Sequence, residues 1–127
     1  MSQFRTRICP SVEAELDAAR VAADESNPAH AFARLERAHV LGQASTLLHV
    51  RVHWQMLLWG LRQRSAGEVL GQILRLVGAA TKTPFGLVPT GNTGGVNVSP
   101  IRSMPIAPEL QRLIDAAHGT TGSRAFD

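Results

Sequence analysis

Apolar residues return every three or four positions through most of the first 81 residues, the spacing of helices that each bury one face. Ser11 reads as the N-cap of a first helix near 11–24. Val12, Leu16 and Ala19 form its inner side, and Glu13, Glu15 and Asp17 come early, where the helix dipole favours negative charge. Asn27 and Pro28 open a second helix near 28–41, since a proline in the first turn has no hydrogen bond to lose; Phe32, Leu35 and His39 share its inner face. A third helix near 46–64 places Leu47, Val50, Trp54, Leu57, Leu58 and Leu61 in a core-facing rhythm, with Leu48, Val52 and Trp59 on its other sides. It is therefore expected to be central, with Trp54 and Leu58 among the most buried side chains. Ser65 and Glu68 have the spacing of a capping box, and Val69, Leu70, Ile73, Leu74, Val77 and Ala80 give a helix near 66–81 a wide apolar face.

Beyond Thr83 the rhythm stops. Pro84, Pro89, Pro100, Pro105 and Pro108 come with Gly86, Gly91, Gly94 and Gly95, which excludes helix and regular sheet across 84–107. The apolar residues in this stretch predict an irregular arm packed over the helices. Pro108 opens a short closing helix that buries Leu110, Leu113 and Ile114. The expected fold is all-α: a small bundle of four to five helices with a long Pro/Gly-rich arm, one domain over 1–127, and loose ends at 1–10 and 119–127.

Composition narrows the function. A chain of 127 residues, 44% hydrophobic, suits one core. No apolar run reaches the roughly 18 residues of a membrane span, and the first residues lack a signal-peptide core, so a cytoplasmic location and no membrane partner are expected. Net charge is only +3, with scattered arginines, a single lysine at Lys82 and no tyrosine, which argues against nucleic acid. Cys9 is the only cysteine, so a metal would have nitrogen and oxygen ligands.

Those ligand types are present at helical spacing. Glu36 and His39 stand at i, i+3, and His49 and His53 at i, i+4, so each pair shares a helix face. Imidazole and carboxylate suit a divalent transition metal, with zinc or iron as first guess and copper as a third ion. On one continuous helix His39 and His53 would lie about 21 Å apart, too far for one site. Gly42 to Ser45 supplies a break: glycine can end a helix in the left-handed conformation, and Ser45 or Thr46 can cap the next. If the chain turns back there, antiparallel neighbours have near-constant index sums. Glu36 with His53 gives 89 and His39 with His49 gives 88, so the four meet as two opposed rungs. Gln43, Met56 and Glu68 are candidates to support these ligands or join them, and binding should weaken as pH falls through about 6.5, the ordinary imidazole value.

Other readings remain beside the metal site. The histidines form a buried polar network in a noncatalytic interaction module, or serve a small mononuclear non-haem enzyme, or, at His49 or His53, ligate haem. Glu36-Arg37-Ala38-His39 also has the Glu-x-x-His form of ferritin-like di-iron bundles, but the second such pair is missing. No nucleophile with a base can be assigned, and His30 and His118 read as solvated. The segment from Gly91 to Ser99 reads as a tight packed turn, with an anion-binding nest of backbone N–H groups as the alternative. Apolar residues nearly all round the third helix predict a homodimer.

Taken together, LERAHVLGQ at 35–43, HVRVH at 49–53, GNTGG at 91–95 and MPI at 104–106 resemble a bacterial family known only as a domain of unknown function, number three-seven-zero-three, over Ala31 to Leu110. The resemblance implies a short protein, and a link to metal resistance or redox processes in some members. It carries no activity and no catalytic residue.

Overall fold

The computed structural model describes residues 3–85, 91–95 and 103–119. The helices are α1 (Gln3–Asp24), α2 (Pro28–Gly42), α3 (Thr46–Arg62), α4 (Ala66–Lys82) and α5 (Pro108–His118), with one 3-10 turn at Thr83–Phe85 and no strand among the described residues. The fold is an all-α bundle. Three-residue turns join α1 through α4, so each helix folds back on the one before. α1 packs on α2, α2 on α3 and α3 on α4, while α5 closes over α1 and α2.

The first helix begins at Gln3, eight residues before the expected Ser11 cap. Pro10 lies inside it, at a helix-interior cost of about 3 kcal/mol. Tertiary packing outweighs that cost. Ile8 extends the stripe of Val12, Glu15, Ala19 and Ala22 by another turn and is 1% exposed, and Phe4 stacks on His118 of α5 at 4.3 Å. Residues 3–10 are therefore ordered helix. Of the other expected loose end, Gly119 is a left-handed helix cap and 120–127 lie outside the described residues. The arm expected at 84–107 is described only at 84–85, 91–95 and 103–107.

Asn27 caps α2 by accepting from the backbone N–H of His30, as its position suggested. The break between α2 and α3 is real, but its cause differs from the expected left-handed glycine. Gly42 is not among the residues with positive φ; a side chain there would put Cβ 3.1 Å from Cβ of Leu48, so the glycine lets two helix ends approach. Ser65 accepts from the N–H of Glu68, but the Glu68 carboxylate turns inward to Gln72 rather than back to the cap.

The core comprises Ile8, Val12, Leu35, Ala38, Leu41, Leu48, Val52 and Met56, joined by Leu110 and Ala117 of α5. On α3 the buried face is rotated from the expected one. It carries Leu48, His49, Val52, His53, Met56, Leu57 and Gly60, whereas Trp54 is 50% exposed and Leu58 only half-buried. Apolar residues nearly all round α3 leave its rotation undecided by pattern, and the burial of two histidines decides it. In dilute protein, Met56→Ala is therefore expected to cost about 2–5 kcal/mol and Trp54→Ala under about 1 kcal/mol, the reverse of the order the periodicity implied, as read by urea denaturation.

Candidate metal centre

The α2–α3 hairpin brings His39, from the last turn of α2, against His49 and His53 in the first half of α3. All three are buried. Their Nε2 atoms form a near-equilateral triangle: 3.0 Å from His39 to His49, 3.0 Å from His39 to His53, and 3.1 Å from His49 to His53. The three rings are close enough to hold one metal ion. The opposed arrangement of His39 and His49 follows the expected index sum. Glu36 is not among the clustered donors. It is half-buried, its side chain hydrogen-bonds Thr93, and burial raises its pKa, an effect partly offset by Thr93 and reinforced by the nearby Glu68.

Each imidazole is held from behind by a different element. His39 Nδ1 lies 2.6 Å from the backbone oxygen of Asn92, His49 Nδ1 2.7 Å from Oγ1 of Thr83, and His53 Nδ1 2.6 Å from Oε1 of Gln72. A carbonyl only accepts, so His39 must donate from Nδ1. Gln72 is oriented by its own Nε2, which donates to Oε1 of Glu68 and to the backbone oxygen of Gly94, so its Oε1 accepts from His53 Nδ1. In both rings the proton sits on Nδ1 and Nε2 presents a bare lone pair to the centre of the triangle.

Burial dominates the electrostatics. It drives the pKa of His39 well below the ordinary 6.5, reinforced by the neighbouring His53 and His49 and opposed by the Asn92 carbonyl. His49 is pushed down to about 3 by burial and then by His53. His53 falls to about 4 through burial, against the hydrogen bond to Gln72 and with the nearby Arg75 cation lowering it further. All three are neutral at pH 7, the form that binds metal.

The described loop 91–95 is a tight buried turn over the site. Asn92 Oδ1 accepts from the N–H of Gly94, and the Gly94 carbonyl accepts from Gln72 and Arg75. Gly94 has φ +84°, and a Cβ there would fall 2.5 Å from Cδ2 of His39, so only glycine lets this backbone lie on the ring. Residues 96–99 of the segment read from the sequence lie outside the described residues.

Sequence reasoning missed Gln72, Thr83 and Asn92. Only Gln72 left a trace, four residues after Glu68 and so on the same helix face. Of the supporting candidates, Glu68 is buried and acts one link removed, through Gln72. Met56 is part of the apolar core, and Gln43 is buried with no hydrogen-bond partner for its Oε1 among the described residues.

Fold and site together define a small helical protein with three buried histidines able to converge on a metal ion. A model of the family described as Protein of unknown function (DUF3703) matches residues 6–114, and the chain belongs to that family. No curated protein and no solved structure matches it. No helix among the described residues is long and apolar enough to cross a membrane.

Proposed function

We propose that the protein binds one divalent transition-metal ion through Nε2 of His39, His49 and His53 and acts in metal or redox homeostasis as a buffer, sensor or carrier. The observation that carries this reading is the tautomer pattern. His39 and His53 both hold their proton on Nδ1, so their Nε2 lone pairs face one another at 3.0 Å with no hydrogen between them. His49 can adjust its tautomer against the Thr83 hydroxyl, but that leaves the His39–His53 contact unchanged. A purely structural histidine network would place a proton in each contact. A cation at the centre satisfies all three lone pairs at once, and Nδ1–H donated to an oxygen acceptor is the usual support of a metal-bound imidazole.

His39, His49 and His53 would hold the ion through Nε2, and the ion would supply a Lewis-acidic centre there. Three nitrogen donors suit zinc or iron(II), whereas copper loses its case for a thioether ligand because Met56 is packed in the core. Elemental analysis of protein purified without a histidine tag, followed by calorimetric titration with zinc, iron(II) and copper, is expected to give one ion per chain. Absence of copurified metal together with no binding tighter than about 10 µM would return the histidines to the role of a polar network in an interaction module.

A further inference from the structure

We infer that the outer face of α3 and α4 is the interface of a homodimer, occupied by a second copy of this chain. The proposal stands apart from metal binding.

Among the described residues, α4 is covered on one side only. It packs on α3 and on the 3-10 turn, with Gln72 and Ala79 turned inward at 0% and 3% exposure. On its opposite face Leu70, Ile73, Leu74 and Val77 are 62%, 45%, 66% and 61% exposed. Helical spacing puts these four in a single stripe. On α3, Leu47, Trp54 and Leu61 recur every seven residues and are also half-exposed or more. Gly60, next to Leu61, lies against Glu68 and Val69, next to Leu70, so the two stripes run beside one another.

Three features favour a second copy as the occupant. The α4 stripe contains no charged side chain, and on α3 Arg51, between Leu47 and Trp54, is already paired with Glu13 of α1, so the patch offers little to a phosphate backbone or a charged peptide. The seven large side chains of the two stripes, at roughly 100 Å² each for these exposures, offer about 700 Å², close to the roughly 800 Å² that each partner contributes to a standard stable interface. An uncharged apolar patch is also complementary to itself, as a two-fold interface requires, and a facing α4 would supply the neighbour this face lacks among the described residues. A Cβ added at Gly67 or Gly78 would meet none of the described residues within 4 Å, so a facing helix has room to approach. The sequence pattern pointed to α3 as the source of self-association, whereas the exposed face is chiefly that of α4.

The test is the mass of the tag-free full chain by light scattering and sedimentation between about 1 and 100 µM. The wild type is expected at twice 13.7 kDa. Leu70→Glu with Leu74→Glu is expected at the mass of one chain, still helical and with an unchanged zinc titration. Val21→Glu, at a 55% exposed site on α1, is expected to leave the dimer intact. If the double variant does not fold, Val77→Arg alone makes the same distinction. A wild type that is monomeric at 100 µM overturns the proposal, whether inert or cosedimenting with phospholipid vesicles, and so does a dimer that survives these α4 substitutions. Because Gln72, which holds His53, faces away from the stripe, loss of the dimer with metal binding intact separates this proposal from the metal reading.

Discussion

Alanine at both His49 and His53 is expected to abolish stoichiometric metal binding and, with it, the stabilisation that metal gives the wild type. Two of three donors disappear, and His39 alone cannot hold the ion against water. At a metal concentration 100 times the dissociation constant, binding to the folded state is worth about 2.7 kcal/mol, so the wild type should melt several degrees higher with metal and the variant at an unchanged temperature. The metal-free variant supplies the contrast. Truncating an ordinary core side chain costs about 2–5 kcal/mol, but here the truncation also removes lone pairs held 3.0 to 3.1 Å apart, so the loss should fall at or below the lower end of that range. Gln72→Leu should be milder. It removes the acceptor behind His53 and is expected to weaken affinity by about 10- to 100-fold without eliminating it. Differential scanning fluorimetry with and without zinc reads all three. A double variant that still melts higher with zinc would exclude His49 and His53 as ligands.

The metal-free protein is expected to lose stability steeply as pH falls below about 6.5, and metal is expected to move its acid unfolding to lower pH. In the unfolded chain the three imidazoles titrate near 6.5. In the folded chain His53 is pushed to about 4, His49 to about 3 and His39 well below 6.5, chiefly by burial. The unfolded state therefore binds more protons than the folded state below 6.5. Stability is full above that value and drains away as pH falls toward the folded pKa values. Each proton bound only by the unfolded chain steepens the loss by about 1.4 kcal/mol per pH unit. Glu36 acts with the opposite sign, because its raised pKa lets the folded state take up a proton first, and it offsets part of the loss just above the ordinary carboxylate range. Proton competition for the ion in the folded state accordingly begins well below the 6.5 expected of unperturbed histidines. Circular dichroism at 222 nm against pH, in chelator and in excess zinc, is the measurement. A metal-free curve that stays flat from pH 6.5 to 4.5 would contradict the burial argument.

By itself the sequence determined the number and order of the central helices, the Asn27 cap, the Ser65 half of the capping box, the turn at Gly42 to Ser45, and the opposition of His39 to His49. These follow from short-range causes: helical periodicity, cap chemistry and the antiparallel register that a tight turn imposes. Only the tertiary structure decided the rest. Whether α1 could begin before Pro10 depended on packing by Phe4 and Ile8. The rotation of α3, which exposed Trp54 and buried His53, depended on which neighbours could satisfy imidazoles. Glu36 and the three clustered histidines have equally good spacing, yet Glu36 turns to Thr93 while Gln72, Thr83 and Asn92 hold the rings from 19, 34 and 53 residues away. Spacing along one helix specifies which side chains share a face. It cannot specify which distant acceptors come up behind them, because those contacts form only when separate elements pack, and here they set the tautomers that aim the nitrogen lone pairs at a common point.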